Sequence, residues 1–266
     1  MQDEASRSSN ESFKLLSWNI DGLDDENLVE RTQAVVAAIL SKVPDVVLLQ
    51  EVVEMSLGIF RTECAGYAVL AGRQSGYFNA ILVRSSTVNV EESQLESFVF
   101  ECSEKDRHFL AYPVKFKEAH ITLVTSHLES MNKKSEERKK QFKEILLYMR
   151  RRPSRANVVF GGDTNLRDKE VADVQGLPEE VFDVWEYCGS SQDAEFTWDM
   201  SENDNIDMNG GTPKLRFDRI FLRSAKNGEV KLNPSSFTLI GKERLQCGRF
   251  PSDHWGIWLE FSVENV

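Results

Sequence analysis

Residues 157–168 read NVVFGGDTNLRD. The apolar, β-branched run at its start is the signature of a buried strand. It runs into Gly161 and Gly162, and then Asp163, Thr164, Asn165, Arg167 and Asp168 crowd into six positions. The glycines are read as a tight turn that presents Asp163 and Asn165. Taken alone, Asp163 would be an ordinary turn residue.

The same grammar recurs elsewhere. LLSW ends in Asn19 and Asp21, VVLLQ in Glu51 and ITLVTS in His127, while PS precedes Asp253 and His254 just before a tryptophan-rich strand. Five strand termini thus carry carboxylates, amides or imidazoles. Sheets that bring these ends to one edge would form a single polar cleft.

Strands are expected near 13–19, 46–52, 67–72, 79–84, 109–116, 120–127, 157–162, 217–223 and 255–263. Helices are expected at 25–41, opened by Asp24 and Asp25, and at 135–151, with Ser135 as cap. A shorter helix is expected at 179–188. Strands dominate and often follow one another directly. The fold class is therefore α/β, a sandwich of two mixed β-sheets flanked by helices. Residues 1–12 are polar and unpatterned and read as a flexible tail, leaving 13–266 as one domain.

Of 266 residues, 41% are hydrophobic and 28% charged, an ordinary globular balance. No run is long enough to span a membrane, and the start has neither the basic nor the apolar region of a signal peptide. Cys64, Cys102, Cys188 and Cys247 have no metal-site spacing and read as separate thiols. A net charge of −11 argues against broad binding of duplex nucleic acid but leaves room for a grip on one or two phosphates. His108 and His120 lack a supporting motif and read as structural. Trp185, Trp255 and Trp258 read as core.

Carboxylate and amide oxygens without cysteine suit a hard cation such as Mg²⁺, held by one or two carboxylates, water and a substrate phosphate. Glu51 is the first choice as ligand, with Asp21 beside it. Asp163 suits orienting or deprotonating a water. Asn19 and Asn165 suit neutral hydrogen bonds to that water and to phosphoryl oxygens, and His127 and His254 suit charge developing on phosphorus. Either Asp218 or Asp253 would hold a histidine in its useful tautomer.

At SWNIDGLD, LLQEV, TSHL, GGDTNLRD, FDRI and SDHWG the chain resembles the endonuclease/exonuclease/phosphatase superfamily, the fold of DNase I, over about 13–263. Its longer motifs, SGYF, TSHLES, TWD, KLRFDRIF and CGRFPSDHWG, are similar to the branch that removes tyrosine from 5′ DNA ends. This resemblance implies a Mg²⁺-dependent phosphodiesterase, with Mn²⁺ able to substitute. Its substrate would be a DNA 5′ end, single-stranded or overhanging, that carries a tyrosyl adduct left by topoisomerase II.

The resemblance makes Asn19, Asp163 and His254 catalytic, with His127 and Asp218 beside them. Glu51, Asp21 and Asp253 become the metal site. Around the DNA it places Asn19, Ile20, Asp21, Gly22 and Leu23, then Tyr77, then His127, Leu128, Glu129, Ser130, Met131 and Asn132. Asn165, Leu166, Arg167, Trp198, Phe217 and His254 complete that set. Met131 and Asn132 stand where the branch has a small polar residue and a base. A monomer is expected, with no membrane partner, working in the nucleus with the cytoplasm as a second location. Two other readings stand beside this one: a superfamily enzyme for abasic DNA, RNA tails or phospholipid head groups, and a catalytically silent interaction module.

Overall fold

Alternation along single strands sets the layers. In the computed structural model, which describes residues 12–89, 94–226 and 229–264, β1 (Phe13–Asn19) turns Phe13 and Leu15 to one side and Leu16 and Trp18 to the other. Strand β2 (Val46–Val52) divides in the same way, with Val46 and Leu48 against Val47 and Leu49. Successive side chains of a strand point to opposite faces, so each strand buried on both sides feeds two cores. The expected tail at 1–12 lies outside the described residues except for Ser12.

The first sheet adds β3 (Tyr67–Ala71), β4 (Phe78–Arg84), β13 (Lys231–Ile240) and β14 (Gly256–Glu264), in the order β13-β14-β1-β2-β4-β3. The second contains β5 (Glu96–Val99), β6 (His108–Phe116), β7 (Ala119–Ser126), β8 (Ala156–Asp163), β9 (Val181–Asp183) and β12 (Asp218–Arg223), in the order β5-β6-β7-β8-β12-β9. Each sheet has one parallel pair, β1 with β2 and β7 with β8. A parallel pair needs a crossover, supplied by α1 (Leu28–Lys42) and α3 (Ser135–Arg151). The sheets face each other across Leu15, Leu48, Ile81, Leu123, Val159 and Ile220. Helix α1 and α2 (Glu54–Glu63) cover the first sheet from outside, and α3 covers the second. The expected sandwich of two mixed sheets flanked by helices is the observed fold.

Several local expectations are corrected. Helix α1 starts at Leu28, because Asp24 closes a turn on the Glu26 amide (2.9 Å) and Asn27 enters the helix at φ 54°. Ser135 is the first helical residue and not the cap, which is Lys134. The helix expected at 179–188 is split: β9 pairs with β12, and only Val184–Tyr187 (α5) is helical. Sequence reading also missed β5, β13, α2, α4 (Asp168–Asp173) and the two-residue strands β10 (Trp198–Asp199) and β11 (Lys214–Leu215).

The glycine pair is corrected too. Gly161 and Gly162 lie inside β8 and make no turn. A Cβ on Gly161 would stand 2.5 Å from Ile220 Cδ1 on the neighbouring strand and 2.9 Å from Leu48 Cδ1 on the facing sheet, and one on Gly162 would stand 2.1 Å from the Ser126 carbonyl oxygen. Close approach of the two sheets and of β7 is what requires them.

Candidate active site

The C-terminal ends of β1, β2, β7 and β8 point to one edge of the sandwich. Strands β12 and β14 run antiparallel to β8 and β1, so their starts reach that edge as well. Register sets Asp218 opposite Asp163. Topology thus gathers Asn19, Glu51, His127, Asp163, Asp218 and His254 from six strands.

Local backbone aims them. Glu51 sits at φ 55° where the β2–β4 register slips between Leu49 and Val52, a bulge that turns one side chain out of its ordinary alternation. Asp21 and Asn165 also lie in the left-handed region, at φ 49° and 50°. Residues held there cost free energy and are concentrated at functional sites. Gly22 lets the chain pass Glu51, whose carbonyl oxygen would stand 2.1 Å from any Cβ at that position.

Asn19 is the hub. Its Nδ2 donates to Asp163 Oδ2 (3.0 Å) and Glu51 Oε1 (3.2 Å), while its Oδ1 accepts from the Asp21 amide (3.0 Å). Asp163 Oδ1 accepts from the Asn165 amide (3.0 Å), and His127 Nε2 lies 3.1 Å from Asp163 Oδ2. Burial pushes the Asp163 carboxyl up, but His127, His254 and Asn19 outweigh it and hold the group well below the usual carboxylate range.

His254 Nδ1 lies 2.7 Å from Asp218 Oδ2, and Thr197 Oγ1 accepts from the Asp218 amide (2.9 Å). Of the two candidates for holding a histidine, Asp218 does so. Asp253 accepts from the Trp198 indole (2.9 Å) and lies 3.9 Å from His254 Nε2. Burial alone would lower the His254 pKa, but Asp218, Asp253 and Asp163 raise it well above the ordinary imidazole value. The Nε2 edge of His254 lies between Asp163 and Asp253, 3.9 Å from each, and carboxylates so placed favour the charged imidazole.

A cation fits the acidic side of this cluster. Burial and the neighbouring Asp253 and Glu51 carboxylates push Asp21 up to about 8 against the pull of Arg31. A group so crowded by like charge is stabilised by added positive charge. Glu51, His127 and Asp163 present ligand atoms within 4.8 Å of one another. Hard oxygen donors fit Mg²⁺, and Glu51 brings its carboxylate to this point with Oε1 beside Asn19 Nδ2 (3.2 Å) and His127 Nδ1 (3.5 Å). Asp253 Oδ2 accepts from the Trp198 indole (2.9 Å), while the Ser252 hydroxyl gives its proton to the Asn19 carbonyl (2.6 Å) and lies 3.5 Å from Asp253 Oδ1.

The expected DNA-facing set divides. Leu23 and Met131 are well exposed, and Asn132 is exposed. Tyr77, Ser130, Arg167 and Trp198 are half-buried at the cleft. Tyr77 lies 6.1 Å from the His127 ring, with the Arg107 guanidinium 5.0 Å over its face. Trp198 and Phe217 pack at 5.4 Å, and Arg167 covers Phe217 at 5.0 Å. Phe217 is largely buried but stands 6.5 Å from His254.

Five expected contacts are corrected. Ile20, Leu128 and Leu166 belong to the hydrophobic cores, and Gly22 is buried behind Glu51. Glu129 is buried and turned inward, accepting from Ser103 Oγ (2.7 Å) and from the amides of Glu104 (3.0 Å) and Lys105 (3.3 Å). It ties two loops together. The side chains of these residues are unavailable to a substrate.

Sequence reading missed the buried arginines. Arg31 donates to Asp21 O (3.1 Å), Glu26 O (3.0 Å) and Pro251 O (3.4 Å), fastening the loop after β1 to the one before β14. Arg138 binds Glu170 (3.0 Å) and Glu129 O (2.8 Å) behind the 127–132 loop. One signal was available: Arg31, Val35 and Ile39 repeat every four residues on the buried stripe of α1.

Comparison with known proteins agrees with this geometry. The sequence profile described as the endonuclease/exonuclease/phosphatase family matches residues 16–254. Bos taurus tyrosyl-DNA phosphodiesterase 2 is 41% identical over 251 residues, covering 94% of this chain and 68% of that protein. The crystal structure of D. rerio TDP2 complexed with a single-stranded DNA product superposes with a TM-score of 0.90 at 41% identity, covering 94% of this chain and 99% of the other. TDP2 from C. elegans gives 0.84 at 34% identity, covering 94% and 75%.

Proposed function

The chain belongs to the tyrosyl-DNA phosphodiesterase 2 family of endonuclease/exonuclease/phosphatase hydrolases, and from that premise we propose that it hydrolyses the bond between a tyrosine and a DNA 5′ end, using Mg²⁺ and leaving a 5′ phosphate. Mn²⁺ would substitute. Topoisomerase II is the proposed source of the tyrosine, and nuclear DNA the proposed setting. The observation that carries this reading is the buried array Asn19–Asp163–His127 with His254–Asp218, set beside Glu51 and Asp21 at one strand-end edge.

Glu51, assisted by Asp21, would hold the cation, which when bound supplies Lewis-acid polarisation of a phosphoryl oxygen. Asp163 orients the attacking water. Its oxygens already accept from Asn19 and Asn165, with His127 alongside, so taking a proton costs hydrogen bonds that favour the anion. Orientation is therefore assigned to it in preference to deprotonation. Asn19 fixes Asp163 and Glu51 relative to each other. Charged His254, held by Asp218, faces the phosphoryl oxygens as negative charge builds on them.

The leaving group suits this economy. A tyrosine phenolate, of pKa about 10, departs far more readily than a sugar alkoxide, so no separate strong acid is needed. The Tyr77, Trp198 and Phe217 rings fit an unpaired 5′ end, because stacking on bases ignores sequence.

The test offers a 5′-tyrosyl oligonucleotide and an abasic duplex side by side in Mg²⁺, with Glu51→Gln as control. Tyrosine release that needs Mg²⁺ and Glu51, with the abasic duplex intact, is expected. Cleavage of the abasic duplex alone would move the protein to another branch of the superfamily. Cleavage of neither would favour the interaction module.

A further inference from the structure

Asp168 ends the GGDTNLRD motif, and none of the roles above uses it. It is the first residue of α4, and its side chain is 80% exposed. Even so, it holds two guanidinium groups that are almost fully buried: Arg219 Nη2 donates to its Oδ1 at 2.6 Å and Arg216 Nη2 at 3.1 Å. The same arginines donate from their Nη1 atoms to buried Asp183 Oδ2, at 3.4 and 2.7 Å. Arg216 also stacks 4.2 Å from the Trp185 ring.

The placement of this square has a consequence. Arg216 and Arg219 bracket Phe217 and Asp218, the second of which holds His254. Asp168 directly follows Asn165–Arg167. The 164–168 loop is thus tied twice to residues 216–219, which lead into β12: at its inner end by Thr164, whose amide and hydroxyl both donate to Phe217 O (2.9 and 2.7 Å), and at its outer end by Asp168. Between these ties Asn165 sits at φ 50°, and Arg167 folds back to donate to Asn165 O (2.6 Å) over the Phe217 ring. A strained loop of this kind keeps its shape only while its surroundings over-determine it.

We propose that Asp168 is a positioning residue for the DNA strand: it touches no reacting atom, and its clasp on Arg216 and Arg219 holds Asn165 and Arg167 where they meet the substrate phosphate. This rests on the reading above that the 165–167 loop faces the 5′ strand. The sign of the effect separates position from charge. Asp168→Asn removes a negative charge from an exposed lip, and charge alone would make a polyanion bind more tightly. Loss of the clasp loosens the loop and makes it bind more weakly.

The experiment compares wild type, Asp168→Asn and Asp168→Glu in two assays: fluorescence anisotropy with a 5′-phosphorylated single-stranded oligonucleotide, and steady-state release of tyrosine from a 5′-tyrosyl oligonucleotide. Asp168→Asn is expected to raise Kd and KM about tenfold, the weight of one charge-assisted contact, with kcat within about twofold. Asp168→Glu keeps the charge one methylene out of place, so its KM should fall between the two. Tighter or unchanged binding by Asp168→Asn would overturn the proposal. So would a fall in kcat at constant KM, or an Asp168→Glu variant indistinguishable from wild type. A wild type that releases no tyrosine would remove the functional reading instead, and the anisotropy would still decide the role of Asp168.

Discussion

Asp218→Asn should move the alkaline limb of the activity profile to lower pH. Asp218 Oδ2 lies 2.7 Å from His254 Nδ1, and the side chains are 1% and 7% exposed, so solvent screens the pair little. A hydrogen bond to a charged group contributes about 1.5–3 kcal/mol. At 1.36 kcal/mol per pKa unit, losing the carboxylate should lower the His254 pKa by roughly one to two units. The sign follows from the charged form being the active one. The His254 pKa is raised in the folded enzyme, so activity is full below it and is lost as pH rises through it. A lower pKa brings that loss earlier. Asparagine keeps the shape and can still accept from Nδ1, which isolates the charge. The assay is kcat/KM for a 5′-tyrosyl oligonucleotide across neutral and alkaline pH at fixed Mg²⁺. A uniform drop in rate with the limb unmoved would refute the assignment of His254 as the titrating cation.

Gly162→Ala should lose about 1–3 kcal/mol in urea unfolding, since its Cβ would meet backbone and not a side chain that can swing away; an unchanged midpoint would show that β7 and β8 can separate freely. Arg138→Met should destabilise by about 3–5 kcal/mol, because it leaves Glu170 buried without its partner. Burial raises the Glu170 pKa but Arg138 holds it below its ordinary value, so its contribution is present above the unfolded carboxyl pKa and is lost as pH falls through the lowered folded one. The wild-type advantage over Arg138→Met, followed by urea midpoints, should therefore shrink in acid. Trp198→Phe, which removes the indole donor to Asp253, should raise KM more than it lowers kcat if Trp198 lines the DNA; steady-state kinetics on the tyrosyl oligonucleotide reads the split.

The fold was legible where one physical signal dominated. The paired apolar runs of β1, β2, β7 and β8 stand out because their strands are buried on both faces. Strand β13 was hidden because Pro234 and its neighbouring serines break the pattern. It lies at a sheet edge with a register shift at Pro234, where a missing donor is tolerated. Asn19, Glu51, Asp163 and His254 were legible because each lies at or beside the end of an apolar strand, so local sequence carries the position. Ile20, Leu128 and Leu166 were misplaced because a motif includes residues that support a site as well as those that face it. Glu129 was misplaced, and the buried arginines at 31, 138, 216 and 219 were passed over, for another reason. A charge in a sequence looks solvated, and only the fold shows the partner that permits its burial. The turn assigned to Gly161 and Gly162 failed because local sequence does not show the tertiary approach of Ser126 and Ile220.

In the proposed reaction water enters at phosphorus in this cleft and tyrosine leaves as phenolate. The most direct measurement is turnover of a 5′-tyrosyl oligonucleotide in heavy-oxygen water with Mg²⁺, followed by mass spectrometry of both products. The expected result is unlabelled free tyrosine and a 5′ phosphate carrying one labelled oxygen. An intact oligonucleotide, or a released strand whose phosphate carries no label, would contradict it.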